Sequence, residues 1–184
     1  MKTDKIILGI DPGTTIMGYG LIHVKEGKIS LIQMGVLHLS KLNSHELKLK
    51  KIFERTLQLV DEYKPDEFAV EAPFYGKNIQ SMLKLGRAQG VAMSAALYRN
   101  VPIFEYAPKK IKMAITGKGT ASKEQVAAML KSILDIKNMP KHLDASDGLA
   151  AAVCHHFQRN SGNNNKKNYS SWGRFLKDNP DKIK

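Results

Sequence analysis

The chain has 184 residues, 42% of them apolar, and carries a formal net charge of +12. That length suits one domain with its own core, and Cys154 as the single cysteine excludes an internal disulfide framework. No apolar run approaches the ~20 residues of a membrane span. The basic excess points to a polyanionic partner, either nucleic acid or an anionic surface. Two lysines near the start are followed by no long apolar segment, so no signal peptide is expected and the reading is a reducing cytosol.

The chain opens with Ile6-Ile-Leu-Gly-Ile10, which runs straight into Asp11-Pro12-Gly13. A short apolar run stopped by Pro-Gly reads as a buried strand, residues 5–11, ending in a turn. Residues 19–24 and 28–33 are strand-like, and Glu26-Gly27 between them suits a turn, giving an antiparallel meander. Ser44 is placed to cap a helix reaching Glu62, whose apolar residues Leu49, Ile52, Phe53 and Val60 recur at helical spacing. Lys64-Pro65-Asp66 stops it.

Glu67-Phe-Ala-Val-Glu71 is a second short strand ending in an acid. Residues 78–99 form a helix rich in small residues, and 101–106 a further strand. The stretch 108–119 is basic and contains glycine. Ser122 to Gln125 matches a capping box and opens a helix to Leu134. Asp144 to His156 is the final helix, with Cys154 as a small core residue and His155 and His156 closing its C-terminal end. Residues 1–158 are expected to form one domain. From 159 to 184 the chain is expected to be a basic, flexible tail, with an apolar cluster of Trp172, Phe175 and Leu176.

Four acids stand out by position. Asp11 and Glu71 each end an apolar strand, and Asp144 and Asp147 share one helix face. A carboxylate beside a core is costly unless it is paired, hydrogen-bonded or bound to a metal. If the two strands are neighbours and the helix packs beside them, four carboxylates converge. Their repulsion is relieved by divalent cations, for which all-oxygen ligands favour Mg²⁺ or Mn²⁺ over zinc. The plainer roles stand beside this one. Asp11 suits an Asx turn, and Asp144 or Asp147 suits a helix N-cap. Phe74 suits ordinary packing, and Lys112 and Lys123 suit solvated surface.

The ordered set Gly9-Ile-Asp-Pro-Gly13, Val70-Glu71 with Phe74 and Lys77-Asn78, Leu83-Lys-Leu-Gly86, Phe104-Glu-Tyr-Ala107 and Asp144-Ala-Ser-Asp147 with Leu149-Ala150 resembles the RuvC family of Holliday-junction resolvases. The resemblance covers residues 5–158. It implies an α/β fold of ribonuclease-H type, a mixed five-stranded sheet flanked by helices. It also implies a homodimer that makes paired symmetric nicks in four-way junction DNA during recombination and repair. On this resemblance Asp11, Glu71, Asp144 and Asp147 are catalytic metal ligands for two Mg²⁺ ions per subunit, with Mn²⁺ able to substitute. Lys112 and Lys123 contact DNA or support cleavage, Phe74 helps hold unpaired bases, and the helix 78–99 corresponds to the one at the dimer interface. The branch-migration partners are RuvA–RuvB, the compartment is the cytoplasm, and no membrane is involved. Pro73 and Tyr75 flank Phe74 and bear on the shape of the base-contacting loop.

The competing functions are an actin-like ATPase, a non-catalytic nucleic-acid-binding module and a nuclease that processes ribosomal RNA precursors. The ATPase also places Asp-x-Gly-Thr after a strand, but this chain has only one such segment. The binding module gains nothing from four mutually repelling acids. The RNA-processing nucleases lack the Lys77 to Gly86 region in this form.

Overall fold

Three apolar runs at the start of the chain build an antiparallel meander of β1 (Asp4–Asp11), β2 (Ile16–Lys25) and β3 (Lys28–His38). The computed structural model describes residues 4–73, 78–140 and 143–161. Glu26 and Gly27 both adopt positive φ, 51° and 80°. That is the geometry of the two-residue hairpin turn that matches strand twist. β2 and β3 run further than residues 19–24 and 28–33, because Ile16, Met17 and Gly18 pair with His38, Leu37 and Val36 and Met17 is buried in the core.

After α1 (His45–Tyr63), capped by the Ser44 side chain on the Leu47 amide, the chain enters β4 (Glu67–Glu71). β4 lies parallel to β1, and β5 (Ile103–Tyr106) lies parallel to β4 on its outer side. The sheet order is β3-β2-β1-β4-β5, so the expected mixed five-stranded sheet is present. α2 (Ile79–Leu97) connects β4 to β5.

The basic stretch after β5 contains a helix that composition concealed, α3 (Pro108–Thr116). Pro108 occupies its first turn, where a missing N–H costs nothing. Gly117 ends it at φ 73°, the left-handed conformation that favours glycine. Ile111 and Ile115, four apart, are its buried residues. α4 (Lys123–Ile133) starts with the expected capping box of Ser122 and Gln125. α5 (Asp144–Ser161) runs past His156, and Phe157 still packs against the core there.

Strand alternation assigns the two faces. Ile7 and Ala69 face one core with Ile111, Val126, Leu130 and the middle of α5. Leu8, Ile10, Phe68 and Val70 face the other, with Ile52 and Leu59 of α1 and Ala88 and Ala92 of α2. By the period of two, Asp11, Glu67 and Glu71 all point to the α5 side. Phe74, Tyr75 and the residues 162–184, including Trp172, Phe175 and Leu176, lie outside the described residues. No described helix is long and apolar enough to cross a membrane.

Candidate active site

β1 and β4 are parallel neighbours with Ile10 opposite Val70, so the next residue on each, Asp11 and Glu71, leaves the sheet at the same edge. Above them lies the first turn of α5, carrying Asp144 and Asp147. The helix can approach this closely because side chains are missing where it meets the sheet. A Cβ on Gly9 would stand 2.2 Å from the Gly148 carbonyl oxygen, and one on Gly148 would stand 2.5 Å from the Tyr19 Cα. Backbone rests on backbone, and the acidic turn is brought down beside Asp11.

The electrostatics record the crowding. Burial, and then the charges of Asp147 and Asp144, raise the Asp11 carboxyl to about 7 against the pull of Lys123. Burial, and then Asp11 and Asp147, raise Glu71 to about 8, although Lys123 and Lys112 oppose this. Burial and Asp144 also raise Asp147, with Lys123 acting the other way. Asp11 lies in the field of Asp147 and Asp144, Glu71 in that of Asp11 and Asp147, and Asp147 in that of Asp144.

Two lysines supply the opposing charge. Lys123, the first residue of α4, places its Nζ 2.6 Å from an Asp147 oxygen and 3.2 Å from an Asp144 oxygen. Burial disfavours its charge, but the two aspartates outweigh burial and raise its pKa. Lys112, half-buried on α3, acts on Glu71 and Asp147 through its charge. Among the described residues, no three carboxylate, histidine or cysteine side chains are drawn together closely enough to hold an ion as they stand. With the ammonium of Lys123 between two of them, the acids are arranged around a lysine.

The donor set nevertheless fits a hard divalent cation. It consists of carboxylate oxygens only, it is partly buried, and two of its members are pushed toward neutrality by burial and by the neighbouring acids.

The sequence reading missed the other end of this face. Glu67 and Glu71 lie four residues apart on β4, about 13 Å at strand rise. Asp147 and His155 lie eight apart on α5, about 12 Å at helix rise. The antiparallel helix therefore carries an acid against Glu71 at its head and His155 against Glu67 at its tail. His155 is 0% exposed. It is fixed by Glu67 Oε2 at 3.0 Å from Nε2 and by the Tyr106 hydroxyl at 2.6 Å from Nδ1. With Nε2 facing a carboxylate, Nε2 donates and Nδ1 accepts from the tyrosine.

Glu67 also accepts from Lys5 Nζ at 2.6 Å and Arg159 Nη2 at 2.8 Å. Burial pushes its carboxyl up, but Lys5, His155 and Arg159 outweigh burial and hold it below its ordinary value. Burial lowers the His155 pKa and outweighs Glu67. The two histidines are thus buried mid-helix side chains, not the end of α5, because the helix continues to Ser161. Cys154 is buried as expected. The readable signal was parity. Two acids at the same parity on a five-residue strand must share a face.

Gln89 of α2, also missed, sits beside Glu71 from the opposite side of the sheet edge. Its Nε2 donates to Glu105 Oε2 at 2.8 Å and lies 3.5 Å from the Glu71 carbonyl oxygen. It ties the ends of β4 and β5 together next to the site.

Comparison with known proteins places this geometry. Residues 7–155 match the family model described as crossover junction endodeoxyribonuclease RuvC. The crossover junction endodeoxyribonuclease RuvC of Christiangramia forsetii is 65% identical over 185 residues, covering 100% of this chain and 95% of that protein. Its counterpart in Bacteroides fragilis is 58% identical, covering 98% of this chain and 97% of that protein. The solved structure of T. thermophilus RuvC in complex with a Holliday junction substrate superposes with a TM-score of 0.79 at 33% identity, covering 86% of this chain and 96% of that one. An actin-like ATPase and a non-catalytic binding module are not favoured. The chain belongs to the RuvC family of crossover junction endodeoxyribonucleases.

Proposed function

We propose that this chain resolves four-way DNA junctions by paired symmetric nicks, acting as a homodimer whose two copies of the site each cut one strand. The observation that carries the reading is the meeting of Asp11, Glu71, Asp144 and Asp147 at one sheet edge, beside Lys112 and Lys123.

Asp11, Glu71, Asp144 and Asp147 would hold Mg²⁺, two ions per subunit, with Mn²⁺ as a substitute. Bound there, such ions supply Lewis-acid activation of the attacking water and neutralise charge at the scissile phosphodiester. The protein's own contribution is to orient. The strand ends and the first turn of α5 hold the acids in fixed relative positions. Lys112 and Lys123 draw the phosphate to them without reading sequence. Phe74 would stack on an unpaired base at the crossover.

The homodimer rests on α2. Ile79, Leu83 and Leu97 are 69%, 51% and 56% exposed. A Cβ on Gly86 or Gly90 would meet nothing within 4 Å. These positions share one helix face at heptad-like spacing, apolar and open to close approach by a second helix. A two-fold dimer presents two sites to a junction of matching symmetry. Partnership with RuvA–RuvB and a cytoplasmic location complete the reading on family grounds.

The test uses synthetic four-way junctions, duplexes and single strands, with and without Mg²⁺. Junction-selective, metal-dependent, paired nicks are expected. Asp11→Asn is expected to keep junction binding and abolish nicking, since it removes a metal ligand and no phosphate contact. ATP turnover without nicking would overturn the proposal.

A further inference from the structure

Lys123 stands at the first position of α4. A cation there opposes the positive end of the helix dipole and does nothing for helix stability. Its backbone is held by the capping box, in which the Ser122 hydroxyl accepts from the Gln125 amide and the Gln125 side chain accepts from the Ser122 amide. The side chain is therefore the part free to move. It is 51% exposed, and it reaches inward to Asp147, which is 13% exposed, and to Asp144.

Its ammonium thus satisfies two of the four carboxylates that the metal centre needs. Neither Asp144 nor Asp147 can give the same oxygen fully to Lys123 and to a divalent ion.

We propose that Lys123 gates the metal centre. Its ammonium pairs with Asp144 and Asp147 until a divalent ion displaces it, and the released lysine then pairs with a DNA phosphate. The inference rests on the four-acid metal reading above. It makes ion binding and DNA binding help each other, because each favours the state with Lys123 turned away from the aspartates, and such coupling is reciprocal. Lys112 is the internal comparison. It also places positive charge near Glu71 and Asp147, but Lys123 is the lysine that hydrogen-bonds the aspartates.

The experiment is Mn²⁺ titration of the DNA-free protein by calorimetry and electron paramagnetic resonance. Lys123→Met is expected to bind Mn²⁺ about tenfold more tightly than the parent. Lys123→Arg should stay close to the parent, and Lys112→Met should gain clearly less than Lys123→Met. A second reading uses the unaltered protein. The ¹³Cε signal of Lys123 should shift and sharpen as Mg²⁺ is added, reporting release of the ammonium.

Equal gains from Lys123→Met and Lys112→Met would reduce the effect to general charge and overturn the gate. So would a Lys123 signal that ignores saturating Mg²⁺. Glu71→Gln separates the two readings. If it abolishes Mn²⁺ binding while Lys123→Met leaves affinity unchanged, the metal centre stands and the gate falls. If no variant and no parent protein binds Mn²⁺, both fall.

Discussion

A Cβ placed on Gly18 would stand 2.0 Å from the carbonyl oxygen of Asp144. Gly18 is also the ladder partner of Asp11 on β1. One hydrogen atom on β2 thus sets how closely an acid of the helix can approach an acid of the strand.

Gly18→Ala is accordingly expected to lift the first turn of α5 from the sheet. Overpacking of this kind costs about 1–3 kcal/mol. On the proposed four-acid site, cleavage should fall by more than the stability loss explains, while junction binding persists. Denaturant unfolding beside single-turnover nicking checks this. A variant that loses stability but nicks at the parental rate would show that helix height does not control the site.

The exposed face of α2 gives a second expectation. Leu83 is 51% exposed, so Leu83→Glu should leave the folded monomer within about 0.5 kcal/mol of its parent. It should convert a dimer to a monomer in light scattering coupled to size exclusion. Nicking of the two strands should then lose its pairing. A dimer that persists with full paired cleavage places the interface elsewhere.

A third expectation concerns pH in metal-free protein. Asp11 and Glu71 titrate near 7 and 8 in the fold, above their unfolded values of 3.8 and 4.5. Between those limits the native state binds more protons than the unfolded one. Stability therefore falls as pH rises across the window, and levels off above the folded values. Asp11→Asn should flatten this slope and raise Tm at about pH 8 by several degrees, with little change at about pH 4. Saturating Mg²⁺ should flatten it in the parent as well. Thermal scans in chelator, pH by pH, measure all three.

How much of this was legible in the sequence depends on the range of the interaction. The acid-terminated ends of β1 and β4, the Ser44 cap and the Ser122–Gln125 box are local chemistry, and the structure has them where the residues indicate. Asp11 and Glu71 were readable as strand-end acids, because a short apolar run that meets a carboxylate and a Pro has few other interpretations. The α3 helix was not readable, since its signal is only Pro108, Gly117 and two isoleucines inside a basic stretch. The placement of Lys123 on Asp144 and Asp147 was out of reach for another reason. It depends on how α4 leans against α5, a tertiary distance that no spacing in the chain encodes. The same holds for His155, whose partners Glu67 and Tyr106 lie 88 and 49 residues away.

The Glu67 cluster supports the last expectation. Glu67 is 6% exposed and takes hydrogen bonds from Lys5, His155 and Arg159. It thereby anchors the tail of the helix whose head carries Asp144 and Asp147. Removing one charge from a buried cluster leaves its partners uncompensated, a loss of about 3–5 kcal/mol. Lys5 and Arg159 reach solvent, so Glu67→Gln should sit at the low end, about 3 kcal/mol at neutral pH. The folded pKa of Glu67 lies below its ordinary 4.5. The contribution is therefore complete above that ordinary value and is lost as pH falls through the folded one. The gap between parent and Glu67→Gln should accordingly close in acid, opposite in sign to the slope set by Asp11 and Glu71. Denaturant midpoints for both proteins across the acid range provide the check. A gap that stays constant down to about pH 2 would mean that Glu67 acts through packing rather than charge.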